Sequence, residues 1–228
     1  MRILVTFAVE WEFKPWLRLG SFQACAGGCR AFSATAAGSD IRVVLTGIGA
    51  ANAARAIRSF TEHRPDICIA SGLAGGLKPQ HRSGEILAAR VVRAEDARIS
   101  YESDEALFSA AIGCGAKPVD QFLSSGRVIR TTQEKLRLGA TADAVEMEAF
   151  AVMQEMSDLG VPSVAVRAVA DPADMDVPCD FEGALDDSGR IRIVQVLSQL
   201  AGDPRRLWPL ARLGVRSTRA ATVLARYL

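Results

Sequence analysis

An α/β domain with a largely parallel, buried sheet is the fold class the sequence predicts, and three observations carry that prediction. Short apolar runs alternate with longer segments of helical character along the chain. The runs are apolar on consecutive positions, as strands covered on both faces are. Glycine-rich or acidic turns follow several of them directly, and the carboxyl ends of strands are where open α/β sheets hold ligands.

The elements follow in order. Ile3 to Phe7 reads as a buried strand and Glu10 to Leu19 as a short helix after it. Ser33 to Ala37 and Ile41 to Thr46 read as strands around the turn Ala37-Gly38-Ser39-Asp40. After Gly47-Ile48-Gly49 a helix is expected over Ala50 to Glu62, with alanines that permit close packing on a sheet. Strands are expected at Asp66 to Ser71 and Gly84 to Val92, with the glycine-rich stretch between them taken as a loop. A helix near Glu105 to Ile112 precedes a strand ending in Gly126-Arg127-Val128-Ile129. Ala144 to Met147 is a further strand, Ala149 to Leu159 a helix, and Ser163 to Ala170 the last strand before Asp171-Pro172. No internal repeat and no low-complexity linker interrupts the series.

Composition narrows the class. The 228 residues suit one sizeable core, and no apolar run approaches the roughly 20 residues that cross a bilayer. The first apolar stretch is short and runs into Glu10 and Glu12, so it does not read as a signal peptide. Five cysteines, at 25, 29, 68, 114 and 179, are then expected as reduced thiols of a cytoplasmic protein. Cys25 and Cys29 are the one close pair and have no histidine near them, so no metal site is expected. With only His63 and His81 present, acid–base chemistry falls to carboxylates. A net charge of +1 argues against nucleic-acid binding by the whole domain.

Five segments lie at expected strand ends. Ala8-Val9-Glu10-Trp11-Glu12, Glu146-Met147-Glu148 and Asp171-Pro172-Ala173-Asp174 carry acids. Thr46-Gly47-Ile48-Gly49 and Ser71-Gly72-Leu73-Ala74-Gly75-Gly76 carry glycines that let a ligand approach the backbone. Each has an ordinary reading too. Gly47 and Gly49 make a tight turn, acids in a first helical turn complement the macrodipole, and Asp171 before proline stops a strand.

In this order, these motifs resemble the purine nucleoside phosphorylase and nucleosidase superfamily, above all its 5'-methylthioadenosine/S-adenosylhomocysteine nucleosidases. Val145-Glu146-Met147-Glu148-Ala149 and Arg167-Ala168-Val169-Ala170-Asp171 are the specific ones. A narrower resemblance, in Asp171-Pro172-Ala173-Asp174 and the basic tail after Pro204, is to hopanoid-associated phosphorylases. The resemblance implies a three-layer phosphorylase-like fold with a central mixed, largely parallel sheet flanked by helices. It also implies cleavage of the N-glycosidic bond of a 5'-modified adenosine. Asp171 would protonate or hydrogen-bond N7 of the base, and Glu12 would activate the attacking water. Glu148 would hold the ribose with Met147 packed on the sugar, Glu146 would stand beside them, and Arg167 would support the acids. Gly47, Gly49, Gly72 and Leu73 would shape the substrate site. The expected partners are a small nucleoside and a second copy of the chain, with no resident cofactor.

Departures from the family keep alternatives open. The strand Ile67-Cys68-Ile69-Ala70-Ser71 lacks the arginine with which phosphorolytic relatives commonly hold phosphate, which leans towards water as nucleophile rather than phosphate as co-substrate. Leu73 stands where hydrolytic relatives usually have a hydroxyl residue, and Arg130 to Lys135 supply no aromatic to stack on a base. A non-catalytic nucleoside-binding protein is the remaining alternative. Residues 1–203 are expected to form the catalytic domain and 204–228 a basic helical tail docked on it. Arg205, Arg212, Arg219 and Arg226 recur every seven residues, with Leu207, Leu210, Ala211, Thr218, Ala221 and Leu228 on the opposite side. Such a face can point to water or make peripheral contact with anionic lipid.

Overall fold

The computed structural model describes residues 1–25, 30–60, 64–95, 97–178 and 207–228. Cys29, His63, Cys179, Arg205, the last positions of the expected helix 50–62 and the 203/204 boundary lie outside them.

The strands are β1 (Arg2–Phe7), β2 (Gln23–Ala24), β3 (Arg30–Ala36), β4 (Ser39–Leu45), β5 (Ile67–Ala70), β6 (Leu73–Gly76), β7 (Ile86–Ala94), β8 (Ser100–Glu102), β9 (Lys117–Ser124), β10 (Ala144–Glu146) and β11 (Ser163–Asp171). The helices are α1 (Glu10–Leu19), α2 (Ala50–Phe60), α3 (Glu105–Gly113), α4 (Thr132–Leu138), α5 (Ala149–Asp158) and α6 (Leu207–Tyr227). All the strands join one mixed sheet in the order β2-β3-β4-β1-β5-β11-β6-β10-β9-β7-β8, with β11 also paired to β7. That extra pairing closes β6, β10, β9, β7 and β11 into a ring. β11 links the ring to the rest of the sheet: it runs parallel to β5, then to β6, along one edge, and antiparallel to β7 along the other.

Helices cover both faces of the sheet. On one, Ala53 and Ile57 of α2 and Val152, Met153 and Met156 of α5 pack with strand residues such as Leu4, Val44 and Phe122. On the other, Phe13 and Trp16 of α1, Phe108 of α3 and Ala220, Leu224 and Ala225 of α6 pack with Val5, Phe7 and Val166. This three-layer arrangement matches the expected fold class. None of the helices among the described residues is long and apolar enough to cross a membrane.

Three local expectations need correction. The stretch expected as a glycine loop is broken only at Ser71-Gly72, and Leu73–Gly76 are a strand at the middle of the sheet. Glycine is depleted in strands because it adds no packing surface, but here the missing side chains admit close neighbours. A Cβ on Gly75 would lie 3.0 Å from Asp171 Oδ2 and 3.3 Å from Val145 Cγ1. The strand expected to end at Ile129 ends instead at Ser124, where Ser125-Gly126 turns the chain away from the sheet. The tail is helical as expected, but its buried line is Leu213, Ala220, Ala221, Leu224 and Ala225. Ala211 and Thr218, expected on the covered side, are exposed together with Arg212, Arg219 and Arg226. The seven-residue arginine spacing located the outer face correctly, while its apolar counterpart is rotated because the helix must straddle α1 and β11.

Candidate active site

Glu12 sits in the first turn of α1, directly after β1, and is buried. Its Oε2 accepts from the Ala8 N–H at 3.1 Å, which turns the carboxylate back over the strand end. Burial pushes its pKa up to about 7, although Arg167 and backbone donors work in the opposite direction. Glu10, the other acid of that turn, points outward and pairs with Arg30 at 2.5 Å.

Arg167 lies mid-β11 and is 1% exposed. Its Nη2 reaches Glu146 Oε2 at 2.5 Å and Glu148 Oε2 at 4.0 Å, while Nη1 and Nε have no hydrogen-bond partner among the described residues. Gly72 is what allows this guanidinium to approach Glu12. A Cβ there would stand 3.0 Å from Arg167 Nη1 and 3.4 Å from Glu12 Oε2, and its φ of +145° is one that side-chain-bearing residues rarely adopt.

Glu146, expected among the substrate contacts, has its oxygens taken by protein donors instead. Ser124 Oγ donates to Oε1, and Oε2 takes Arg167 and the N–H groups of Glu148 and Ala149 at 2.9 and 2.6 Å. It therefore anchors Arg167 and the amino terminus of α5. Glu148 is the acid left facing the cavity, and its Oε1 accepts from the Gly49 N–H at 2.9 Å. The Gly47-Ile48-Gly49 turn thus spends its second glycine N–H on Glu148 and does not offer it to an anion. Burial, then the neighbouring Glu146 charge, raise the Glu148 pKa to about 8.

Asp171 ends β11 at a register shift opposite Gly75. Burial raises its pKa, against the lowering effect of Lys135 and Arg216. Lys135, fully buried on α4, donates to Asp171 Oδ2 at 2.5 Å.

Glu12, Leu73, Glu146, Met147, Glu148 and Asp171 all border one cavity of about 210 Å³. Gly47, Gly49, Gly72 and Arg167 stand behind it, setting the positions of Glu148 and Glu12. Trp11 and Ile48 come from segments expected at strand ends, whereas Val128, Ile129, Val177, and Leu213 and Ser217 from α6 were not foreseen. Only the apolar character of Val128-Ile129 after a glycine could have signalled them. The cavity is thus bordered by four carboxyl groups and by an otherwise largely apolar wall.

The family model of the phosphorylase superfamily matches residues 2–125. Among solved structures, the fold is similar to a 5'-methylthioadenosine/S-adenosylhomocysteine nucleosidase of Helicobacter pylori, crystallised in complex with a substituted pyrrolidin-3-ol, at 18% identity and a TM-score of 0.75, covering 100% of this chain and 95% of that one. The futalosine hydrolase of the same organism is equally similar, at 18% identity and 0.75, with the same coverage. The corresponding nucleosidase of Neisseria meningitidis, in complex with methylthio-immucillin-A, is 23% identical with a TM-score of 0.70, covering 99% of this chain and 97% of that one. The family match takes in Glu12 and the Gly47–Gly49 turn, and the fold brings Glu148 and Asp171 to the same cavity: the chain belongs to the phosphorylase superfamily.

Proposed function

We propose that the chain hydrolyses the N-glycosidic bond of a purine nucleoside, a 5'-modified adenosine, and releases adenine. The observation that carries this reading is the convergence of Glu12, Glu148 and Asp171 on one cavity, with the unpartnered Nη1 of buried Arg167 beside Glu12. As the C1'–N9 bond breaks, its electron pair moves to the base and positive charge grows on the ribose. Asp171 gives a proton to N7, so the base leaves neutral. Glu148, next to the sugar with Met147, interacts more strongly with the ribosyl cation than with the neutral nucleoside, and that difference lowers the barrier. A water held between Glu12 and Arg167 attacks C1' and passes its proton to Glu12, which at a pKa of about 7 is poised to take it.

Charge favours water over phosphate. The ionisable groups on the cavity wall are Glu12, Glu146, Glu148, Asp171 and Arg127, and Arg127 is paired with Glu134 at 3.2 Å. Arg127, the basic group on that wall, already serves Glu134, so a phosphate dianion would find mostly carboxyl groups as its neighbours. The test is incubation with several 5'-substituted adenosines, with and without phosphate, and mass identification of the sugar. Free sugar at a phosphate-independent rate is expected. A strict phosphate requirement with a ribose 1-phosphate product would make the enzyme a phosphorylase, and binding without cleavage would make it a nucleoside-binding protein.

A further inference from the structure

The acid end of the cavity contains a lysine that the reaction as described does not use. Lys135 is 0% exposed, and its ammonium has three acceptors: Asp171 Oδ2 at 2.5 Å, the Met175 carbonyl at 2.8 Å and the Pro172 carbonyl at 3.2 Å. Those three satisfy its three donors. The amino-terminal end of the helix that carries it is tied to the same loop. Asp176 Oδ1 accepts from the Thr132 N–H and Oγ1–H at 2.6 and 2.8 Å, and the Val177 N–H donates to the Arg130 carbonyl at 2.8 Å. Gly75 comes close to the same oxygen: a Cβ there would stand 3.0 Å from Asp171 Oδ2 and 3.3 Å from Val145 Cγ1.

Burying an ammonium is costly unless it is paired, and an apolar side chain would fill the same space at less expense in desolvation. Lys135 instead places its charge on one oxygen of the residue read as the proton donor. We propose that Lys135 is the positioning residue of that donor: it holds Oδ2 of Asp171, leaves Oδ1 to the base, and stabilises the carboxylate that forms as the proton leaves. The inference rests on the reading of Asp171 as general acid. The step balances simply: the proton on Oδ1 moves to N7, the C1'–N9 electron pair goes to the base, and the resulting carboxylate keeps Lys135 as its counter-ion. The charged groups that face Asp171 are Lys135 from α4 and Arg216 from α6, while Gly75 of β6 and Val145 of β10 bring none.

The experiment compares Lys135→Gln with wild type on two substrates across pH. One is a 5'-substituted adenosine, whose base must be protonated to leave; the other is 4-nitrophenyl β-D-ribofuranoside, whose leaving group departs without a proton. Lys135→Gln should lose on the order of 10–10²-fold in kcat/KM on the adenosine, a part of what general acid catalysis supplies, and stay within about threefold of wild type on the nitrophenyl riboside. Its alkaline limb should move up by about one to three pH units, because removal of an adjacent opposite charge raises a carboxyl pKa by that much. An unmoved limb, or equal losses on both substrates, would overturn the proposal and leave Lys135 a structural group. Should the variant not fold, 15N-lysine NMR of the wild-type chain decides. The buried ammonium signal should titrate with Asp171 and respond in Asp171→Asn; a signal indifferent to both overturns the proposal. Wild-type protein inert on every purine nucleoside would instead remove the reaction itself, and the inference with it.

Discussion

Glu12 and Glu10 stand two residues apart in one helical turn, yet only Glu12 is buried against Arg167, while Glu10 pairs with Arg30 at the surface. That contrast predicts that Glu12→Gln nearly abolishes turnover with little change in nucleoside affinity, whereas Glu10→Gln stays within a few-fold of wild type; steady-state kinetics and a binding isotherm on each variant check it. A base acts ionised, so with a pKa of about 7 for Glu12 the wild-type kcat/KM should rise as pH increases through about 7. The pH profile of kcat/KM tests this, and a plateau extending down to pH 5 would take Glu12 out of the base role. Asp171→Asn should lower adenine release roughly 10²–10⁴-fold while the fold is kept, since an amide passes no proton to the base. Turnover near wild type would exclude Asp171 from the mechanism. These three acids were legible in the sequence because each follows a recognisable apolar strand. Lys135 was not, since Gln133-Glu134-Lys135-Leu136-Arg137 has the alternating charge of an ordinary surface helix and nothing local shows that one lysine turns inward.

Among the elements, β6 is where composition misled most. Its glycines suggested a loop whose backbone a ligand could approach, but the ring of strands requires β10 and the end of β11 to close against it with no side chain between. Pairing partners far apart in the chain decide this, and a single strand's composition cannot show them. The consequence is testable at Gly75. Gly75→Ala places a methyl 3.0 Å from Asp171 Oδ2, an oxygen also held by Lys135, so the acid must move. We expect kcat to fall at least about tenfold, with a modest loss of stability, read by kinetics and thermal melting. Wild-type kinetics in that variant would mean that Asp171 tolerates displacement. Gly49 offers the opposite case. It has open space around it, so its requirement comes from a φ of +95° and from the N–H it gives Glu148, not from crowding.

Across the whole molecule, α6 joins stability and recognition in one element, and the two functions fall on different residues. The amino-terminal part, with Leu213 and Ser217, forms the cavity wall on the side of Val177, while the carboxyl-terminal part buries Ala220, Ala221, Leu224 and Ala225. That second part packs with the aromatic cluster of Phe7, Phe13 and Trp16, and the Tyr227 hydroxyl donates to the Ala111 carbonyl at 2.8 Å. The sequence marked this helix by Arg212, Arg219 and Arg226, which face outward, and so concealed that other side chains of the helix complete a site whose acids lie many residues earlier. If the division holds, the two leucines should separate cleanly. Leu224→Ala removes a fully buried side chain from the core and should cost about 2–5 kcal/mol of stability, leaving KM for the nucleoside near wild type below the melting range. Leu213→Ala removes a cavity wall and should raise KM several-fold with a smaller loss in melting temperature, because the space it leaves opens onto the cavity. Denaturant unfolding and substrate titration on both variants decide the matter: a Leu224→Ala chain with a raised KM, or a Leu213→Ala chain with unchanged KM, would show that α6 serves only to close the core.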